Sequence, residues 1–254
     1  NAGVTCVIIS LRNASNKKIY IYDGILKSEV SHINGYLAAG NDIYIDNRSK
    51  SISGLPKISL GSSPYENGNL LLSVHEKLTL LSTYPEASRF IKKFVGSAEF
   101  VRSVEKYCLW IEKADFDEAM QIPPIAKRIE AVRAFREKSK RGKTLETAST
   151  PYEFTENRHV DAPSIIIPIV TSERREYLPV GYLDSDSVIP NSARAIYNPE
   201  SYIFGILASK MHITWLRAIG GKLKTDFRYS ALVYNTFPVR VLFDHEKHEI
   251  SQKA

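Results

Sequence analysis

The sequence predicts an α+β fold with a mixed or antiparallel sheet, packed helices and a β-hairpin at its start. Short β-branched runs separated by turn residues predict strands. Two later segments place apolar residues at helical spacing and predict helices. Strands and helices do not alternate regularly and no internal repeat occurs, so the pattern favours an α+β domain over a parallel α/β fold.

The first elements are predicted to form a long hairpin. VTCVIISL at 4–11 is a continuous apolar run, typical of a buried strand, and KIYIYDG at 18–24 alternates apolar and polar residues. Polar turn residues connect the two runs. We therefore assign residues 1–30 to a terminal hairpin, residues 31–240 to the main domain and residues 241–254 to a polar C-terminal tail.

The segment that follows predicts short strands and two helices. Turn residues between Ile33 and Ser73 separate short strands, the last of which leads into a helix near His75–Ser82. Pro85 suits the first turn of another helix. YCLWI at 107–111 is a further buried strand. The apolar face of the second helix is formed by Phe90, Ile91, Phe94 and Val95.

Pro124–Lys140 is the clearest predicted helix, with an apolar stripe at helical spacing. Residues 163–170 and 176–183 are predicted to pair as strands around the turn TSERR. A long apolar helix over Ser201–Ile219 should end at the two glycines that follow it. Residues 228–239 are expected to form a closing strand. The stripe of the first helix comprises Ile125, Ile129, Val132 and Phe135.

Composition sets only broad limits on function. The 254 residues contain 34 Lys and Arg against 28 Asp and Glu, a net charge of +6 that many proteins carry without touching nucleic acid. No apolar stretch approaches the roughly 20 residues that a membrane helix needs. Cys6 and Cys108 lie far apart in apolar runs, which predicts reduced thiols and a cytoplasmic protein. The chain opens inside a predicted strand without Met, which predicts an excerpt of a longer protein.

Motifs for common chemistries are missing from the sequence. It has no GxxxxGK[ST] phosphate loop, no GxGxxG turn and no GxSxG nucleophile elbow. Asp184 and Asp186 form a DSDS loop that could hold a metal, although a solvated turn before Pro190 is the favoured interpretation. A hydrolase built around Asp184, Asp186 and His159 is a rival hypothesis, and it predicts a deep pocket with perturbed carboxylates.

Positive charge gathers in three segments. Residues 123–143 contain eight basic residues against two glutamates, which fits either a solvated helix face or phosphate contacts. TSERR at 171–175 places two arginines in a turn, and GGKLKTDFRYS at 220–230 places cations beside backbone-exposing glycines. The alternative for Arg174 and Arg228 is an internal ion pair with Glu173 or Asp226.

Five ordered blocks of the chain resemble one protein family. They are NAGVTCVIISL at 1–11, GSAEFVRSVEKYCLWI at 96–111, RIEAVRAFREKS at 128–139, IIIPIVTSERREYLPVGYL at 165–183 and FGILASKMHITWLRAIGGKLKTDFRYSALVYNTFP at 204–238. They look like the C-terminal half of MmeI-like (type IIL or IIG) restriction–modification proteins. Such proteins combine a nuclease, an N6-adenine methyltransferase and a target recognition domain in one chain.

The resemblance implies a bacterial, cytoplasmic DNA-reading module without catalysis of its own. The Asn-Pro-Pro-Tyr adenine motif and the S-adenosylmethionine loop of the family are absent here, so we expect no cofactor in this segment and S-adenosylmethionine in the parent methyltransferase. The hairpin at 1–30 would be the last of the methyltransferase sheet. The implied partners are double-stranded DNA and the methyltransferase domain of the same chain, without a membrane.

The resemblance also implies which segments meet DNA. Two stretches, Arg158–Asp161 and Asp184–Arg194, are expected to reach base edges, because both combine donors, acceptors and turn residues. The basic segments should converge on one concave wall. A protein-interaction module is the second rival, and it predicts an exposed apolar patch without a basic cleft. The predicted base readers are Arg158, His159, Ser192 and Arg194, and the predicted phosphate contacts are Arg174, Arg175, Lys222, Lys224 and Arg228.

Overall fold

The computed structural model describes residues 7–35, 37–42, 44–223 and 225–254, and it confirms the α+β class. The strands are β1 (Ile19–Asp23), β2 (Leu26–Val30), β3 (Ser59–Leu60), β4 (Leu71–Leu72), β5 (Ile91–Phe94), β6 (Tyr107–Leu109), β7 (Ser164–Pro168), β8 (Val170–Thr171), β9 (Gly181–Leu183), β10 (Ser187–Val188), β11 (Ala193–Tyr197), β12 (Gly221–Leu223) and β13 (Asp226–Arg228). The helices are α1 (Val74–Thr83), α2 (Ser97–Arg102), α3 (Phe116–Met120), α4 (Pro123–Glu137), α5 (Gly142–Glu146), α6 (Ser201–Leu207), α7 (Lys210–Ile219), α8 (Ala231–Asn235) and α9 (Asp244–Lys253).

The hairpin near the N-terminus forms from other strands than predicted. β1 pairs antiparallel with β2, across a turn in which Gly24 has a φ of 58°. Residues 7–11 are exposed and outside any strand, so their predicted pairing with 18–24 is wrong. The reason is that β2 takes the edge of β1, and the apolar run finds no partner strand in the described chain. Residues 4–6 of the predicted strand lie outside the described residues.

A first layer joins the sheet β10-β5-β6-β4 to helices α1 and α4. The predicted helix at 124–140 is confirmed as α4, and its Ile125, Ile129 and Val132 are fully buried. Phe135 remains 39% exposed, while the core side of the last turn is occupied by Arg136. The predicted strand at 107–111 is confirmed as β6. β4, which leads into α1, is confirmed in the same way.

Two sequence predictions about helices fail for identifiable reasons. The helix predicted after Pro85 is a 3-10 helix, Pro85–Phe90, and residues 91–94 form β5 because they pair with β6. The helix predicted over 201–219 is divided into α6 and α7. Ser209 starts the second helix by accepting a hydrogen bond from the His212 backbone N–H at 3.1 Å. Its predicted end at Gly220 is confirmed.

A second layer contains the sheet β3-β11-β7-β9 and the sheet β12-β13-β8. The predicted pairing of 163–170 with 176–183 is confirmed by β7 and β9. Only Ile169 separates β7 from β8, so one continuous stretch of chain belongs to both sheets. Residues 228–239 are not the predicted closing strand, since Ser230 caps the helix α8 there. The predicted tail at 241–254 contains α9, which packs on α6.

Among the helices of the described ranges, we find no candidate for a membrane-spanning segment by length and hydropathy. The division of the chain at residues 30 and 240 stays a prediction.

Candidate nucleic-acid interface

The stretch from β7 to β8 brings two predicted DNA-contacting arginines to neighbouring strands. Arg194 on β11 lies opposite Ile167 of β7, and Arg228 on β13 lies opposite Val170 of β8. The carbonyl of Ile169, between these two positions, accepts a hydrogen bond from the Tyr229 backbone at 2.7 Å. Residues that are 34 positions apart in sequence therefore meet along one strand.

Arg194 is a half-buried cation without a counter-charge. Its Nε atom is buried and has no hydrogen-bond partner, and no described carboxylate lies within 4.0 Å of its guanidinium. Burial lowers the pKa of Arg194; Tyr229 opposes this shift and the charge of Arg228 adds to it. An unpaired cation in such a place costs free energy, and an arriving anion or acceptor group would offset that cost.

The hairpin of β12 and β13 displays further cations. Arg228 is exposed, and the alternative that it pairs with Asp226 is not observed, because no ion pair joins these two described residues. Lys222 is also exposed, with its Nζ 5.1 Å from the centre of the Phe227 ring. Lys224, the remaining predicted contact in this hairpin, lies outside the described residues.

The turn after β8 carries Arg174 and Arg175 on the surface. Neither side chain forms an ion pair within the described ranges, so the alternative pairing of Arg174 with Glu173 is not observed either. Arg217 of α7 holds the turn, because its Nη2 donates to the carbonyl of Arg175 at 2.8 Å and to that of Glu173 at 3.4 Å. Sequence analysis missed Arg217. The only sequence signal for Arg217 was its position as a cation in the last turn of a predicted helix. Its contact with the turn at 173–175 arises from folding.

Arg158 lies close to Arg194 but is occupied by protein groups. Its Nη1 donates to the carbonyl of Gly61 at 2.9 Å, and its Nη2 donates to Glu156 at 2.5 Å. Gly61 follows Leu60, which lies opposite Arg194 in the sheet. The guanidinium of Arg158 is therefore within roughly 15 Å of the Arg194 backbone. The structure thus brings Arg158 and Arg194 to neighbouring positions.

His159 and Ser192, the other predicted base readers, sit in different surroundings. The His159 ring packs edge-on to Trp110 with centroids 5.1 Å apart, on the wall of a cavity of about 320 Å³. Burial is the main reason that the pKa of His159 is lowered, with Lys92 acting in the same direction. Ser192 is exposed, and its Oγ accepts from the Ser97 backbone N–H at 3.3 Å. Its carbonyl accepts from the Ile169 N–H, which ties the loop to β7–β8.

Asp184 of the DSDS loop is held by an ion pair and a hydrogen bond. Asp184 lies 2.7 Å from the Lys93 Nζ and accepts a hydrogen bond from the Ser187 hydroxyl at 2.6 Å. The contact with Lys93 is the main cause of its lowered pKa, whereas a general acid needs a raised one. Within the described residues, no group of three His, Cys, Asp or Glu side chains has the geometry of a metal site. These contacts favour the interpretation of the loop as a turn.

Three known proteins or families resemble this chain in sequence or structure. A family model described as MmeI, target recognition domain, matches residues 39–241. The chain is 39% identical over 254 residues to DNA methyltransferase A of Bacillus subtilis (strain 168), covering 99% of this chain and 29% of that protein. The type IIL restriction–modification enzyme MmeI, solved in complex with DNA, superposes with a TM-score of 0.88 at 35% identity, over 95% of this chain and 33% of MmeI. The chain thus spans about a third of the length of these two proteins.

Proposed function

The chain belongs to the MmeI target recognition domain family, and we propose on that premise that it reads a short duplex DNA sequence for a restriction–modification methyltransferase. The observation that carries the proposal is Arg194, which is half-buried beside Arg228 and has no counter-charge among the described residues. DNA supplies the groups that such cations lack, as phosphates along its backbone and as guanine acceptors in its major groove.

We assign the surrounding cations to the DNA backbone. In the described part of the chain, the exposed arginines and lysines of the sheet β12-β13-β8 and of the turn after β8 have no carboxylate partners, so their charges are available to phosphates. Arg217 supports this role indirectly by fixing the turn that carries two of them. The proposed phosphate contacts are Arg174, Arg175, Lys222, Lys224 and Arg228.

Base reading is proposed for Arg158, His159, Ser192 and Arg194. Arg194 is the best placed of the four, because its buried Nε has no hydrogen-bond partner and no carboxylate of the described residues pairs with it. Arg158 has further N–H donors beyond those it gives to Gly61 and Glu156, and one side of its guanidinium can still face a base. Ser192 and His159 flank these arginines on loops.

The activity of the whole protein is part of the proposal. The parent would be an S-adenosylmethionine-dependent, site-specific DNA adenine methyltransferase of the bacterial cytoplasm, and the cofactor would bind outside this segment. The recognition segment itself contributes binding and orientation and no catalytic group.

Exposed apolar side chains near the N-terminus support the proposed contact with the methyltransferase domain. Ile8 is 94% exposed and Leu11 91% exposed, and Ile25 at the tip of the β1–β2 hairpin is fully exposed. Apolar side chains in such number on one short segment are typical of a surface that another domain covers. The same exposed side chains favour the protein-interaction hypothesis. In the proposed function, the partner that covers them is the methyltransferase domain of the same protein.

The test is DNA binding as a function of salt, followed by specificity. Fluorescence anisotropy with duplex DNA should show affinity that falls steeply with salt, on the order of 10³-fold or more between 50 and 200 mM if six or more phosphates are contacted. In the parent enzyme, Arg194→Ala should change the methylated site, at a cost of about 1–3 kcal/mol for the cognate base. Lys224→Ala should weaken all sites alike. Binding that is independent of salt would contradict the proposal.

A further inference from the structure

Three cations from different segments converge on one carboxylate, Glu156. Arg141 Nη2 lies 2.8 Å and Lys143 Nζ 3.3 Å from Oε1, and Arg158 Nη2 lies 2.5 Å from Oε2. We call Arg141, Lys143, Arg158 and Glu156 the Glu156 cluster. Its members come from the turn before α5, from α5 itself and from the segment that leads to β7.

The cluster carries more positive than negative charge. Burial would raise the pKa of Glu156, but hydrogen bonds from Arg158, Arg141 and Lys143 hold it at about 2, so the carboxylate stays ionised near neutral pH. One negative charge against three positive charges leaves a net charge of +2. The side chain of Glu156 is 11% exposed, whereas those of Arg141, Lys143 and Arg158 are 43, 54 and 35% exposed. The excess charge therefore faces solvent.

The base of the cluster is held in place by the fold. The backbone of Glu156 exchanges two hydrogen bonds with Ser63, at 2.9 and 3.0 Å. The guanidinium of Arg141 lies 4.0 Å from the centre of the Tyr65 ring. Cations that are already fixed lose little conformational entropy when they bind an anion, which favours affinity.

The cluster also adjoins the proposed interface. Arg158 belongs to both, and through Gly61 it contacts the strand that lies opposite Arg194. A duplex seated against Arg194 therefore has its backbone close to the cluster, because each strand carries a phosphate about every 3.4 Å along the helix axis. The Glu156 cluster thus places positive charge on the β3 side of Arg194. The cations of the sheet β12-β13-β8 lie on its β7 side.

We propose that the Glu156 cluster is a second DNA-backbone site, in which Lys143 and the outward N–H groups of Arg141 hold a phosphate above Glu156, while Arg158 holds the other carboxylate oxygen of Glu156. Arginine and lysine donors together suit a phosphate, since the guanidinium offers parallel N–H groups and the ammonium a compact charge. The inference rests on the proposed function and extends it, because the cluster binds any DNA sequence alike.

The test compares two lysines on the 254-residue chain. Lys143→Gln should lower the salt slope of duplex binding by about one and weaken binding by roughly fivefold to tenfold at 0.1 M salt. Lys127→Gln is the matched control, because it removes the same charge at a distance from the cluster. Lys127 is exposed on α4, about 15 Å along the helix axis from the C-terminal end of the helix. It should leave slope and affinity unchanged.

A second variant separates binding from structure. Glu156→Gln removes the competing carboxylate and should tighten duplex binding in samples whose circular dichroism shows the native fold. If Lys143→Gln behaves like Lys127→Gln while Arg228→Gln still weakens binding, the cluster inference is overturned and the proposed function stands. If the unmodified chain shows no salt-dependent binding to duplex DNA, both are overturned.

Discussion

Helix α4 and the sheet β12-β13-β8 are both rich in cations, but they use them differently. In α4, Arg128 donates to the carbonyls of Asn69 and Leu71 at 2.9 and 3.0 Å and pairs with Glu76. Arg133 pairs with Glu130. The cations of the sheet and its turn have no carboxylate partner in the described residues. They are Arg174, Arg175, Lys222 and Arg228.

Arg136 is the extreme case in α4. No part of it is exposed, and its guanidinium donates to five backbone carbonyls. The acceptors are Pro64, Tyr65, Thr147, Thr150 and Glu153, at distances of 2.7 to 3.3 Å. These bonds use all five N–H donors of the guanidinium, and they hold two stretches of chain, 64–65 and 147–153, against the helix.

The number of cations in a segment therefore does not identify a nucleic-acid site. A cation that donates to backbone carbonyls, or that shares a carboxylate with no other cation, contributes to the fold, and its charge is already compensated. In the Glu156 cluster three cations share one carboxylate, so positive charge remains in excess. A cation without such partners remains available to phosphate. In the sequence the helix segment is the richer of the two, yet the structure makes the sheet the better candidate.

The largest effect expected from this comparison is on stability. Arg136→Met should lower the free energy of unfolding by about 3–5 kcal/mol, because it leaves buried carbonyls without donors. Urea denaturation measures this, and Lys127→Met on the exposed side of the same helix should change stability by no more than about 0.5 kcal/mol. A stable Arg136→Met chain with weakened DNA binding would reverse the roles given to the two regions.

A smaller effect on stability is expected from His212 of α7, which is fully buried. Its Nε2 lies 2.8 Å from the Tyr229 hydroxyl, and burial lowers the pKa of His212 to about 3. The unfolded chain takes up this proton near pH 6.5, so stability present above that pH is lost as the pH falls. Between pH 7 and 5 the loss from His212 is about 2 kcal/mol.

The measurement for His212 is the free energy of unfolding at several pH values. His212→Gln should flatten the decline between pH 7 and 5, leaving a smaller contribution from His159, whose pKa is lowered in the same direction. An equally steep decline in the variant would show that His212 does not carry the effect. The effect of His212 can be told apart from that of Glu76 and Glu156. The pKa values of these two carboxyl groups are lowered to about 2, so they reduce the free energy of unfolding only below about pH 4.5.

The smallest effect concerns binding by single cations of the sheet. Arg228→Gln should weaken duplex binding by roughly tenfold at 0.1 M salt and reduce the salt slope by about one, without a change in stability. Arg89→Gln is the control with the same change in net charge, since Arg89 is already paired with Asp115 and Glu118. Equal losses in the two variants would mean that only net charge matters, and the comparison would fail.

Much of the fold follows from local sequence. The spacing of Ile125, Ile129 and Val132 predicts α4 because a helix that packs on a core needs one apolar face. The glycines after Ile219 predict the end of α7 for an equally local reason. The division of the long helix at Ser209 and the helix at Ala231–Asn235 were missed, since a serine cap competes with apolar periodicity and its success depends on what the helix packs against.

The candidate site is less predictable. Sequence analysis named Arg194 and Arg228, and it left open whether Arg174 and Arg228 are paired internally. The absence of such pairs in the described chain, and the use of Arg158 by Gly61 and Glu156, could not be read from the order of residues. Whether the basic segments form one concave wall stays a prediction.

The α+β class, the positions of most core segments, the resemblance to the MmeI family and the existence of several basic segments could all be predicted from the chain alone. These depend on residue type and on spacing along the chain, which are local properties. Folding settles which cations are bound by protein groups and which of the described cations have no carboxylate partner. That outcome depends on carbonyls and carboxylates brought close by folding from residues up to about a hundred positions away, as Gly61 is for Arg158.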